Sequence, residues 1–374
     1  MEGPAGDGAA IPGAFAVLAL ALAGFAFSFT GFAERMDAVL LDGEWALLRA
    51  AAPRAAPDDI VVVGIDEASV RAVALPLGAW NQPLGEVLVR VASGSPRAVA
   101  LAVTLPDRSL DRLRPGLDRA LLVGLAAARD NAPLVATLSI DARTRSPRPI
   151  FPPYLAVLGD DGLGIDLLPS DPDGLTRRFS LLVPTEDGGF PTLVGRICAR
   201  LSARCTDGLI DFALGPPLRY VAFREVLAMR DADRVRELFH NRIVLIGDAR
   251  RDADRIAVPF NLATWEPPGR DAPAIAVHAQ ALRTALLGAA AAESPRPLAF
   301  LLAAAAASLV VVRGRGKRIA GMLAGAVALL GLGGVALHGG TYVPLGAALA
   351  TLLAAGLGPI AVHAWRRRPR RFVP

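Results

Sequence analysis

The chain contains four long apolar runs, one near the N-terminus and three near the C-terminus. The first covers residues 11–32, carries no charged side chain, and is long enough to cross a hydrocarbon core about 30 Å thick. The others cover 297–312, 319–337 and 342–365. We therefore predict one transmembrane helix within residues 1–33 and three within 294–365. A cleaved signal peptide is the alternative for the first run, but the positively charged start and small-residue cleavage site of such peptides are missing.

Basic residues between and after these runs predict their orientation. The short loop at 313–318 and the tail at 366–374 are both strongly basic, whereas the connection at 338–341 is not. Cytoplasmic loops of membrane proteins are enriched in Lys and Arg. Both termini are therefore predicted to be cytoplasmic, with the region between the first two spans in the periplasm or the extracellular space. The chain is predicted to be a multi-pass protein of the inner or plasma membrane.

Between the first two spans, we predict a linker helix at 34–56 and an α/β domain at 57–290. The run 60–65 is continuous and β-branched, which is typical of a strand buried on both faces of a parallel sheet. Strand and helix patterns then alternate, which favours a mostly parallel, doubly wound sheet. The predicted strands are 60–65, 97–105, 133–138, 179–183, 209–212 and 242–247, and the predicted helices are 84–92, 117–129, 193–201, 223–229 and 275–287.

The amino-acid composition favours a membrane protein and disfavours some other classes of function. The apolar share of 53% exceeds the roughly 45–50% of soluble chains, and the excess lies in the terminal runs. The net charge of +5 arises from cations beside those runs, so we do not expect nucleic-acid binding. Cys198 and Cys205 are the only cysteines. Because seven residues of continuous helix rise roughly 10 Å, two buried thiols are favoured over a disulfide.

A series of motifs runs through residues 57–288. The first strand leads into Asp66-Glu-Ala-Ser69, and Trp80, Pro83 and the strand at 98–101 follow. Later segments are Asp173-Gly-Leu-Thr-Arg-Arg178, Ile210-Asp-Phe212, the strand at 242–247, Val258-Pro-Phe260 and His278-Ala279. This order and spacing resembles the CHASE domain of the second type, a cyclase/histidine-kinase-associated sensory extracellular domain. The resemblance implies sensing, with one membrane helix before the domain, three after it, and usually a cyclase or kinase beyond.

The sequence departs from that family pattern in three places. Ala102 and Ala276 stand where acidic residues are common, and about nine residues follow Trp365, too few for a cyclase or kinase. We therefore expect a stand-alone sensor that signals through a separate protein or as a homo-oligomer. No G-x-G-x-x-G follows a predicted strand, and the sequence offers no nucleophile elbow and no close His pair. We expect no cofactor, no metal and no enzymatic activity.

The candidate site follows from the predicted sheet. Ligands of open parallel sheets bind beyond the carboxyl ends of the strands. Asp66 and Asp254 are the strongest candidates for contact with an unknown small ligand, with His278 as a third and Glu67 and Thr104 on the same rim. The alternatives are that the two aspartates cap or form turns, and that His278 is a packed core histidine.

Three functions compete at this stage. The first is a sensor in which a ligand shifts a two-state equilibrium that the helix at 275–287 carries to the membrane. The second is a membrane-anchored hydrolase at the acidic rim. The third is a degenerate scaffold that no longer binds a ligand, which the alanines at 102 and 276 fit. The lipid bilayer is a partner in all three.

Overall fold

The computed structural model describes residues 10–140, 147–184, 189–252 and 254–366, with side chains described between 13 and 359. The chain divides into two compact units, residues 53–290 and residues 1–52 together with 291–374. The first nine residues and the predicted basic tail from 367 onward lie outside the described part.

A six-stranded sheet forms the centre of the unit 53–290. The strands of this unit, numbered along the chain, are β1 Ile60–Ile65, β2 Ala98–Ala102, β3 Leu134–Leu138, β4 Leu163–Ile165, β5 Arg178–Phe179, β6 Leu182–Val183, β7 Phe190–Pro191, β8 Gly208–Leu209, β9 Arg219–Ala222, β10 Ile243–Asp248, β11 Arg255–Ala257 and β12 Asp271–Pro273. The sheet has the order β4-β3-β2-β10-β1-β9, and every neighbouring pair in it is parallel. The predicted α/β class with a parallel sheet is confirmed.

Helices cover both faces of this sheet. Those of the unit are α3 Glu67–Val73, α4 Asn81–Ser93, α5 Leu117–Asn131, α6 Pro152–Leu158, α7 Leu193–Arg200, α8 Phe223–Ala228, α9 Ala232–Phe239 and α10 Ala274–Leu286. Val61, Val63 and Ile246 pack in one core with apolar residues of α4, α5, α8 and α9. On the opposite face α10 contacts β1 and β10, and α7 contacts β2 and β3.

The strands differ from the prediction mainly at the sheet edges. β1, β2, β3 and β10 lie where the apolar runs predicted them. Both edge strands, β4 and β9, were missed because they are short and interrupted by Gly164 or by polar residues. The strands predicted at 179–183 and 209–212 lie outside the sheet, where β5 pairs with β8 and β6 with β7.

The prediction of two free thiols is wrong. Cys198 and Cys205 form a disulfide, with 6.3 Å between their Cα atoms. The predicted helix does not continue through this segment, because α7 ends at Arg200 and the chain reverses at Ser202, which has a φ of 52°. The reversal returns Cys205 to the last turn of the helix. Disulfides persist in oxidising compartments, which agrees with a domain outside the cytoplasm.

The other unit consists mostly of apolar helices. Its elements are α1 Ala10–Phe27, α2 Gly31–Ala51, β13 Ala292–Glu293, α11 Arg296–Ala307, α12 Arg315–His338, β14 Thr341–Tyr342 and α13 Gly346–Arg366. Among the described residues, α12 alone is long and apolar enough to cross a membrane, or two spans exist if α1 and α2 count as one bent pair. Shorter apolar helices cover Arg296–Val311 and Gly346–Pro359. The four-span arrangement therefore stays a prediction.

Candidate ligand-binding site

The carboxyl ends of the parallel strands bring several polar residues to one edge of the sheet. β1 ends one residue before Asp66, β2 two residues before Thr104, and β4 one residue before Asp166. β10 ends at Asp248 itself. Ligands of open α/β sheets bind at this edge. These polar residues at the carboxyl ends of the strands form the rim that the sequence predicted. Their side chains make different contacts.

Asp66 is held by three partners. One carboxylate oxygen accepts a hydrogen bond from the backbone N–H of Ser69 at 2.6 Å and caps α3. The other lies 2.9 Å from the Arg224 guanidinium and accepts from the Tyr220 hydroxyl at 3.2 Å. Burial raises the pKa of Asp66, but the hydrogen bonds from Ser69 and Arg224 outweigh it and hold the pKa below its usual value. The ionised carboxylate of Asp66 thus links the end of β1 to α3 and α8.

Glu67 and Thr104 also make local contacts. Glu67 accepts a hydrogen bond from the backbone N–H of Arg251 at 2.8 Å, which ties the loop after β10 to α3. The hydroxyl of Thr104 lies 3.0 Å from that of Ser139, which follows β3. These contacts join neighbouring strand ends across the edge, and direct ligand contact by either residue stays a prediction.

Asp254 and His278 lie beside a residue that the sequence did not single out. The imidazole of His278 is 1% exposed, and its Nε2 donates to the Asp166 carboxylate at 2.5 Å. Burial raises the pKa of Asp166, but the neighbouring imidazole outweighs it and holds the pKa below its usual value. Asp166 was missed because it follows β4, the edge strand that was not predicted. The pair joins β4 to α10, 112 positions apart in sequence.

Asp254 differs from its neighbours because its carboxylate has no hydrogen-bond or ion-pair partner in the described part of the chain. Its φ of 48° lies in the left-handed region, which Asp tolerates better than most residues. Its carbonyl accepts a hydrogen bond from Ala274, the first residue of α10, at 2.9 Å. Asp254 is exposed to solvent, yet desolvation by the surrounding protein, and then the charges of Asp166 and Asp248, raise the pKa of Asp254, while the charge of His278 acts in the opposite direction.

A charged pair completes this side of the rim. Asp248, at the end of β10, is 2.6 Å from the guanidinium of Arg250. Asp248 therefore has a direct ion-pair partner, whereas Asp254 has none among the described residues. No group of three or more His, Cys, Asp or Glu residues is arranged to hold a metal ion within the described residues.

The helix that carries His278 is also held by a polar network that begins two residues further along it, at Gln280. Gln280 donates to the carbonyl oxygens of Asp211 and Leu214 at 2.6 and 3.0 Å. The fully buried carboxylate of Asp211 forms an ion pair with Arg54, the second residue of the unit. Contacts made by α10 therefore connect the rim to the first residues of the domain.

A depression of about 490 Å³ lies elsewhere, on the outer surface of α4 and the start of α5. It is lined by Val89 and Val123 together with Arg90 and Arg119. None of the predicted site residues lines it.

Comparison with known proteins identifies a family. The family model of the CHASE2 domain matches residues 15–315, most of the chain. No curated protein and no solved structure shows significant similarity to it.

Proposed function

We propose the function of this protein from one premise: the chain belongs to the CHASE2 domain family, a family of extracellular sensory domains. In this proposal residues 53–290 form a sensory domain outside the cytoplasm, and the apolar helices of the other unit anchor it to a membrane. The basic loop at 313–318 and the basic tail support cytoplasmic termini by the positive-inside rule. The Cys198–Cys205 disulfide supports an oxidising compartment for the domain.

The observation that carries the ligand site is the exposed carboxylate of Asp254, which has no direct hydrogen-bond or ion-pair partner among the described residues. It stands beside Asp166 and His278, at the edge where ligands of parallel sheets bind. A ligand that brings a hydrogen-bond donor or a positive charge to Asp254 would relieve the repulsion from its neighbours. In this proposal Asp66 and Glu67 form the opposite wall, and Thr104 lies between the two groups.

The route of the signal follows from α10. The first residue of this helix binds the Asp254 carbonyl, its second turn carries His278, and Gln280 in the same turn holds the loop that pairs with Arg54. A ligand that moves Asp254 or His278 would therefore bias both chain segments that leave the domain. Allosteric couplings of this kind are typically about 1–3 kcal/mol. A signalling protein, or a second copy of this chain, would respond to the shift.

The experiment is a thermal-shift screen on the full-length protein in lipid nanodiscs. Amino acids, nucleosides, sugars and divalent cations would be compared on the wild type, Asp254→Asn, and the control Asp233→Asn on the exposed surface of α9. A ligand at 100 times its Kd stabilises the folded state by about 2.7 kcal/mol. We expect a compound that raises the melting temperature of the wild type and the control but not of Asp254→Asn.

Two other outcomes favour different functions. If no compound shifts the wild type, the degenerate scaffold is favoured, and the alanines at 102 and 276 fit it. If a compound shifts all three proteins equally, the ligand binds away from Asp254. A compound that is consumed during the assay would instead favour the membrane-anchored hydrolase.

A further inference from the structure

Helix α2 follows α1 after a sharp bend. The two helices are separated by three residues and their axes differ by 82°. α1 has 18 residues, which corresponds to about 27 Å and approaches the thickness of a hydrocarbon core. If α1 crosses the membrane close to its normal, α2 runs nearly parallel to the membrane surface.

Its charge content shows that α2 does not continue the span. The helix carries six charged residues among 21. Charged side chains inside a bilayer are rare and face the interior of a helix bundle. Five of the six are exposed or partly exposed, namely Glu34, Arg35, Asp37, Asp42 and Arg49.

α2 has three different sides. One is buried through Leu41, Trp45 and Leu48, and α2 contacts α12 and α13. On this side the Asp37 carboxylate accepts the backbone N–H of Gly346 at 2.7 Å. A second side carries Arg35, Asp42 and Arg49.

The third side is apolar and exposed. At 100° per residue, seven positions without charge fall within an arc of about 100°. They are Phe32, Met36, Val39, Leu40, Gly43, Leu47 and Ala50. Phe32, Val39 and Leu47 are 65%, 71% and 63% exposed. An amphipathic helix with such a face commonly lies in a membrane interface.

Exposed apolar residues also lie on α1 and in the bend between the two helices. Phe15, Leu18 and Leu22 are 50% or more exposed on α1, and Phe29 in the bend is 59% exposed. The Arg296 guanidinium lies 5.9 Å from the centre of the Phe29 ring. Aromatic rings and arginines concentrate where acyl chains meet lipid headgroups. These contacts place the bend at that level.

We propose that α2 is an interfacial helix whose side with Phe32, Val39 and Leu47 is inserted into the outer leaflet. This side of α2 contacts phospholipids at the level where headgroups meet acyl chains. This inference rests on the membrane anchoring proposed above and goes beyond it, because anchoring requires only the spans. In this inference the lipid surface helps to fix the orientation of α2, the helix that precedes the sensory domain.

Site-directed spin labelling tests this inference on the full-length chain in phosphatidylcholine vesicles. Because Cys198 and Cys205 form a disulfide, single added cysteines can be labelled selectively. Val39→Cys and Leu47→Cys report the apolar side, and Arg35→Cys and Asp42→Cys report the charged side of the same helix. Val327→Cys, 72% exposed on α12, is the lipid control, and Asp130→Cys on the exposed end of α5 is the water control.

The readout is accessibility to oxygen, which partitions into lipid, against accessibility to a water-soluble nickel chelate. We expect the oxygen-to-nickel ratio at 39 and 47 to exceed that at 35 and 42 by roughly threefold or more, as for insertion about 5–10 Å deep. Labels at 39 and 47 as accessible to nickel as the label at 130 would overturn the interfacial helix. Exclusion of both reagents there would also overturn it, because protein would then cover this side.

The label at 327 separates this inference from the proposed anchoring. If it is accessible to oxygen while 39 and 47 are accessible to nickel, the anchor stands and the interfacial helix fails. If the label at 327 is itself accessible to nickel, α12 does not span the bilayer, and both proposals fail.

Discussion

Removal of the Asp166 carboxylate tests whether the rim is built on its pair with His278. The Nε2–carboxylate distance is 2.5 Å, and the imidazole is 1% exposed. A hydrogen bond to a charged group contributes about 1.5–3 kcal/mol, and a buried donor left without a partner adds to the loss. Because the Asp166 side chain is 22% exposed, water replaces part of the interaction. We therefore expect Asp166→Ala to lower the free energy of unfolding by about 2 kcal/mol.

The same pair predicts the direction of a pH dependence. The pKa of Asp166 is lower in the folded state than in the unfolded chain, so its ionised form stabilises the fold. This stabilisation is fully present above the usual pKa of Asp, about 3.9. It is lost as the pH falls through the lower folded-state value. The difference between the wild type and Asp166→Ala should therefore be smaller below about pH 4 than at pH 5.

The assay is thermal unfolding of the full-length protein, with Asp130→Ala on the surface of α5 as the control. For a domain of this size, about 2 kcal/mol corresponds to a fall in Tm of about 4–8 °C. Asp166→Asn keeps an oxygen that accepts from His278 and should lose less. Equal Tm values for Asp166→Ala and the control would refute the structural role of the pair. A difference that grows below pH 4 would refute the assigned direction of the pKa.

Three further changes test other parts of the structure. Replacing Cys198 and Cys205 by Ser should lower stability by about 2 kcal/mol in a denaturant titration, because the short loop becomes open in the unfolded chain; a wild type insensitive to reductant would contradict the disulfide. Arg54→Ala should cost about 2–3 kcal/mol, because the buried Asp211 carboxylate loses its ion-pair partner, and Arg54→Lys should recover part of this in the same titration. Gly124→Leu should cost about 2–3 kcal/mol in thermal unfolding, because even a Cβ there would lie 2.5 Å from the backbone of α4; an unchanged Tm would show that α4 and α5 do not pack closely.

The centre of the sheet was predictable because its signal is local. β1 and β10 are continuous apolar runs, and they pair from Ile60 with Ile243 to Ile65 with Asp248. The edge strand β4 has three residues with Gly164 in the middle, too short to give a periodic pattern. Asp166, which directly follows this strand, was therefore not predicted as a site residue.

The sequence also did not indicate contacts between residues that lie far apart in the chain, or the disulfide. Arg224 lies 158 positions from Asp66, and no local pattern marks the two as partners. Two thiols were favoured over the disulfide because of a rise that holds only for a continuous helix, and α7 ends five residues before Cys205. The candidate residues themselves were found because they follow strands or lie on α10, which the apolar pattern did predict.

The central claim is that residues 53–290 lie outside the cytoplasm and that apolar helices anchor them. Alkaline phosphatase, which is active only outside the cytoplasm, can be fused after Gly288, after Gly340 and after Pro374 of the chain. The account predicts active enzyme at the first two positions and inactive enzyme at the third. Inactive enzyme after Gly288, or the same activity after Gly340 and Pro374, would contradict it.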